Sequence, residues 1–101
     1  MEFYSFRFGD MKVAQADAAS PSLMAVEMTL GFKVPDQHTV ETLSLTVHVA
    51  HDPDQSVKAT QQRAYDRAMQ LLRAAADYGA ARTPDQLCEE TEQNRAFVIK
   101  G

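Results

Sequence analysis

Two histidines and two aspartates fall within one short stretch, His48-Val49-Ala50-His51-Asp52-Pro53-Asp54, a density that raises the question of a metal site built from imidazole and carboxylate ligands. The spacing argues against it. Successive side chains of an extended strand alternate between faces, so His48 and His51 diverge, and Asp52 has a separate use as a helix cap. Cys88 is the single cysteine, which rules out a disulfide within the chain. A thiol nucleophile needs a base and a lowered pKa. Glu89, Glu90 and Glu92 disfavour the thiolate and no histidine is near in sequence, so Cys88 reads as a small, partly buried hydrophobe. Asp52 with Asp54, and Glu89 with Glu90, pair carboxylates as an acid and base would require, yet a helix cap and a solvated acidic face account for them. The four glycines stand at 9, 31, 79 and 101, and none belongs to a phosphate-binding loop. No catalytic residue, metal or cofactor is expected.

Charge offers a different chemistry. The chain has 10 Lys plus Arg against 14 Asp plus Glu, a net charge of -4. Lys58, Arg63, Arg67, Arg73 and Arg82 make one segment basic, but Asp66 and Asp77 interrupt it, and the net negative charge opposes the phosphate contacts that dominate nucleic-acid binding. Nucleic acid is therefore not the expected partner. The following segment carries Asp85, Glu89, Glu90 and Glu92 with no basic residue before Arg95. Arg63, Arg67 and Arg73 on one side, and these four carboxylates on the other, form the candidate interaction surface, with opposed patches suited to steering a protein partner or a second copy of the chain. Met24 and Met28 on one strand face, and Met69 on a helix, suit adaptable packing or an adaptable interface.

The elements that must hold these residues follow from periodicity. From Leu23 to Val34 the chain alternates, with Met24, Val26, Met28, Leu30, Phe32 and Val34 on one face. A second alternation from Thr39 to His51 sets Leu43, Leu45, Val47 and Val49 on one face. Joined by Pro35-Asp36-Gln37-His38, the two form a hairpin whose paired residue numbers sum to 73: Leu30 with Leu43, Met28 with Leu45, Val26 with Val47, Met24 with Val49. A slip of one residue would set apolar side chains against polar ones. Only Glu41, opposite Phe32, breaks the pattern. Tyr4, Phe6 and Phe8 alternate before Gly9-Asp10, which has the composition of a two-residue turn, so a second hairpin is expected over Tyr4–Phe8 and residues 11–16.

Asp52-Pro53-Asp54-Gln55 reads as a helix start with Asp52 as cap, and the helix should run to about Tyr78, with Gly79 ending it in the left-handed conformation. Its apolar stripe comprises Val57, Ala64, Ala68, Leu71, Leu72, Ala75 and Tyr78, opposite Gln62, Arg63, Asp66, Gln70, Arg73 and Asp77. Thr83-Pro84-Asp85-Gln86 has the spacing of a capping box and opens a short helix to about Glu92, anchored by Leu87. Arg95-Ala96-Phe97-Val98-Ile99-Lys100 reads as a final strand.

The expected fold is therefore a single α+β domain over residues 1–101. It has two layers: an antiparallel sheet of four to five strands, from two hairpins and a C-terminal strand, with one long helix packed on one face and a short second helix. No apolar run approaches the roughly 18 residues of a membrane span, and Met1–Arg7 lacks the basic start and apolar stretch of a signal peptide. A cytoplasmic chain is expected, without a membrane partner. The functional expectation is a small, non-enzymatic protein-binding, regulatory or inhibitor protein of the kind carried by phage and mobile elements, self-associating as a homodimer. The alternative is a small-molecule binder or small enzyme with its pocket between helix and sheet, using Tyr65, Glu41, His38 or His48 as polar groups.

Overall fold

The computed structural model describes the backbone of residues 1–14, 22–36 and 38–100, and the side chains of these apart from 14 and 96–100. In chain order it comprises β1 (Glu2–Ala14), β2 (Leu23–Lys33), β3 (Val40–Ala50), α1 (Val57–Ala80) and α2 (Pro84–Lys100). The strands form one antiparallel sheet in the order β1-β2-β3. Contacts gather in two units, Met1–Met69 and Gln70–Gly101, whose boundary falls within α1.

β2 and β3 pair in the register that their alternation predicts, from Leu23 opposite Ala50 to Lys33 opposite Val40, with Glu41 opposite Phe32. The cause is face matching, since any odd slip would bury polar groups against the apolar face. On the polar face the hydroxyls of Thr29 and Ser44 lie 3.2 Å apart in a cross-strand hydrogen bond. The connecting loop closes with the Val34 N–H donating to the Thr39 carbonyl at 3.3 Å, and Asp36 takes a left-handed φ of 63°. Aspartate tolerates that conformation better than most side chains.

The N-terminal hairpin is not formed. β1 passes through Gly9-Asp10 as one 13-residue strand and pairs with β2 along its length. Its register slips between Phe3 and Ser5, and again between Phe8 and Met11, so Gly9-Asp10 is a bulge opposite Glu27 rather than a turn. A Cβ on Gly9 would stand 3.2 Å from the Glu27 Cβ, a tight approach that glycine avoids. The competing interaction is clear: continuing along β2 sets Phe6, Phe8 and Met11 beside Leu30, Met28 and Val26, whereas a tight turn would carry Met11 and Val13 away from them. Residues 15 and 16 of the expected strand lie outside the described residues.

The unit Met1–Met69 has a core of Val26, Met28, Val47, Val49, Ala64 and Ala68, with Phe6, Phe8, Met11, Met24, Leu45 and Met69 packed against it. Val26, Ala64 and Ala68 have no exposed surface. Small side chains at 64 and 68 bring the helix backbone close to the strands, and burying Val26 and Met28 there stabilises the unit by about 2–3 kcal/mol each. Beyond Ala68 the expected stripe is not buried: Leu71 and Tyr78 are exposed, as is Val57 at the other end. Periodicity identifies the apolar side of a helix, not what covers it.

The start of α1 also differs from expectation. Asp52 Oδ1 accepts from the Asp54 N–H at 3.0 Å, and the Asp52 carbonyl accepts from the Gln55 N–H at 3.1 Å, closing a separate turn. Ser56 is the cap, its hydroxyl accepting from the Ala59 N–H at 3.1 Å. Asp52 satisfies its own turn first, and the helix begins where the next capping side chain occurs. At the other end α1 continues through Gly79 to Ala80, and no glycine among the described residues has positive φ.

The capping box of α2 forms as its spacing requires: the Gln86 N–H donates to the Thr83 hydroxyl at 3.2 Å and the Thr83 N–H to Gln86 Oε1 at 2.9 Å. The helix does not stop near Glu92 but runs to Lys100, which replaces the expected C-terminal strand, so the sheet has three strands rather than four or five. Between Asp85 and Lys100 there is no proline or glycine to break the helix, and extending a helix is cheaper than nucleating a new element. The strand preference of Phe-Val-Ile is realised only where a partner strand receives it.

The cap assignment has a direct check. Ser56→Ala should lower the urea-unfolding stability by about 1 kcal/mol and Asp52→Ala by less than half as much. The reverse order would return the cap to Asp52.

Candidate interaction surfaces

Three surfaces arise from this framework. The first is the apolar sheet face beyond the core. Phe3, Phe32, Leu30 and Leu43 share the face of Met28 and Val26 by register, and Phe3 packs edge-on against Phe32 at 6.0 Å between centroids. Leu43 is 44% exposed and Phe3 61% exposed. On the opposite face the approach is so close that a Cβ on Gly31 would meet the Ser5 hydroxyl at 2.7 Å, and the Lys33 ammonium sits 5.6 Å over the Tyr4 ring.

The second is a groove of about 340 Å³ lined by Phe6, Phe8, Lys58, Gln61, Gln62 and Tyr65. Phe6 meets Phe8 and Tyr65 edge-on at 5.0 and 5.7 Å, the favoured aromatic geometry, so the groove wall is fixed by ring packing. Of the polar groups expected in a pocket, Tyr65 lines this groove, whereas Glu41 and His38 are exposed beside the hairpin loop and His48 is exposed opposite Ala25. Those four are not brought together.

The third lies in the unit Gln70–Gly101. The Arg82 guanidinium stacks 3.5 Å over the Tyr78 ring, donates to the Tyr78 carbonyl at 3.2 Å and faces Glu90 Oε1 at 3.4 Å, while the Tyr78 hydroxyl donates to Glu90. A cleft of about 430 Å³ beside it is lined by Ala81, Arg82, Gln86, Glu89, Glu90 and Gln93. The hydrogen bond from Tyr78 does most to hold the Glu90 carboxyl below the usual carboxylate range; desolvation works against this, and Arg82 adds to the lowering. Tyr78 is pushed above the ordinary phenol value, chiefly because its hydroxyl donates to Glu90. Stability contributed by Glu90 is thus present above the ordinary carboxylate range and lost as pH falls through its lowered pKa. That of Tyr78 is present below the ordinary phenol value and lost as pH rises through its raised one.

The charged residues singled out from sequence are placed as follows. Arg63 donates to the Ala50 carbonyl at 3.0 Å, tying the helix to the end of β3, and its Nε is buried without a hydrogen-bond partner among the described residues. Arg67 and Arg73 are exposed, as are Asp85 and Glu89. Glu90 is occupied by Tyr78 and Arg82, and Glu92 pairs with Arg95 at 3.2 Å in a solvent-exposed contact that contributes little. Cys88 is exposed rather than partly buried, since Leu87 and Glu90 occupy the half-buried positions around it. The cluster at Glu90 is not apparent from residue types and spacing alone. Its one signal was the four-residue spacing of Tyr78 and Arg82, which places them on one helix face.

Among the described residues no group of three or more His, Cys, Asp or Glu stands ready to hold a metal ion, and no helix is long and apolar enough to cross a membrane. Comparison with protein-family models, with curated proteins and with solved structures finds no match.

The Glu90 environment is open to titration. In carboxyl-detected NMR, Glu90 should titrate below the ordinary glutamate range, and Tyr78→Phe should move it up toward that range. No upward movement would assign the lowering to Arg82 instead.

Proposed function

We propose that this chain is a non-enzymatic protein-binding module that acts through the apolar face of its sheet and associates with itself. The observation that carries the reading is Leu43, a large aliphatic side chain 44% exposed on the same face as the fully enclosed core residue Val26. Phe3, exposed on the same face at the other edge, widens the apolar area that a partner would cover. In this reading the part of α1 within Met1–Met69 backs the sheet, and exposed charges such as Arg67 steer approach rather than supply affinity. A cytoplasmic setting, which keeps the exposed Cys88 thiol reduced, suits it.

A second reading rests on the Phe6, Phe8 and Tyr65 groove. Its volume lies at the lower end of the range for small-ligand sites, and Lys58 gives it one charged group with which to orient an anionic ligand.

Sedimentation of the purified chain at rising concentration decides between them. The protein-binding reading expects an average mass that climbs above 11.2 kDa, and a Leu43→Ser variant whose association is weakened by about tenfold. A wild-type chain that stays at monomer mass throughout would contradict it and favour the groove.

A further inference from the structure

The two edges of the sheet are built differently. β1 carries Glu2, Arg7, Asp10 and Lys12 along its length and is broken by two bulges, the devices by which edge strands resist pairing with another chain. β3 has neither defence. Over Val40–Ala50 it reads Val-Glu-Thr-Leu-Ser-Leu-Thr-Val-His-Val-Ala, with Glu41 as its only formal charge, no proline and an unbroken register to β2. Among the described residues no strand lies on its other side. In an antiparallel edge strand every second residue directs its N–H and C=O away from the sheet, so β3 offers a straight row of such groups. Edges of this length, regularity and composition are ordinarily covered.

From this, and resting on the protein-binding reading above, we infer that the partner is a second copy of the chain, and that two β3 edges pair antiparallel about a two-fold axis at Leu45 to give a continuous six-stranded sheet. The sequence of β3 is complementary to itself in that arrangement. Leu43 falls opposite the partner's Val47, Glu41 opposite the partner's Val49, Ser44 opposite the partner's Thr46 and Thr42 opposite the partner's His48. Apolar side chains thus continue the core face, hydroxyls continue the polar face, and no carboxylate meets another. Each Leu43 comes to rest beside a Val47 that is only 3% exposed in its own unit, which supplies the cover that Leu43 lacks. The pairing stops naturally at Ala50, whose carbonyl is already engaged by Arg63.

The test uses the full chain and sedimentation. Ser44 and Thr46 are exposed on the polar face, so lysines there leave the monomer core untouched. Ser44→Lys/Thr46→Lys should weaken self-association by about tenfold through like charges set across the two strands. The net charge moves from -4 to -2, which by itself would favour association, so a loss is local in origin. Ser44→Glu/Thr46→Lys, which sets each new charge against its opposite in this register and turns the new lysine toward Glu27 within its own sheet, should restore dimerisation to near the wild-type level. Ser5→Lys on the β1 edge should leave it unchanged. Circular dichroism confirms that each variant keeps its fold. If the wild type self-associates but the double-lysine variant does so equally well, or the charge-paired variant is as weak as the double-lysine one, the edge pairing is wrong while the protein-binding reading stands. A wild type that never self-associates removes both.

Discussion

Burial of Val26 and Met28 of the middle strand against Ala64 and Ala68 is the interaction on which the unit Met1–Met69 depends. β2 is paired on both sides, so its side-chain alternation dictates the faces of its two neighbours as well as its own. Once its even-numbered residues face the core, β3 can meet it only in the observed register, and β1 must bulge twice to keep Phe3, Phe6, Phe8 and Met11 on the same face. Alanines at 64 and 68 complete the arrangement because a larger side chain at either would hold the helix away from the strands. The helix is then pinned at its base by Ser56 and by the Arg63 bond to the Ala50 carbonyl.

The same constraint leaves part of the apolar sheet face exposed. Three strands form only a narrow platform, and the core occupies one end of it, leaving Phe3 and Leu43 exposed toward the other. Charged residues and bulges guard β1, whereas β3 is regular and nearly uncharged. The unit Gln70–Gly101 is organised by other forces. There a stacked guanidinium, a phenol and a carboxylate tie the end of α1 to α2, and exposed charges dominate the remainder.

Much of this was legible in the residues. The β2–β3 register, with every pair from Met24–Val49 to Leu30–Leu43, follows from alternation alone because the two patterns are strict and only one register keeps both apolar faces together. The α2 capping box was equally plain, since Thr83 and Gln86 have no competing use. Local signals misled where a longer-range interaction outweighed them. Gly9-Asp10 has turn composition, but pairing with β2 continues through it as a bulge; Phe-Val-Ile favours a strand, but the preceding helix extends into it. Asp52 is a good capping residue that caps a turn four residues early. The site was less legible than the fold. Leu43 lies on the core face as its alternation predicts, and alternation does not encode how much of that face is covered.

Native-state amide hydrogen exchange followed by NMR tests the central claim most directly. If burial around Val26 and Met28 is the constraint that organises the fold, the slowest amides are those of β2 and of α1 from Ala64 to Ala68, exchanging only through global opening, while the outer row of β1 exchanges by local fraying. Protection that is greatest in α2, or as high along the outer row of β1 as in β2, would contradict it.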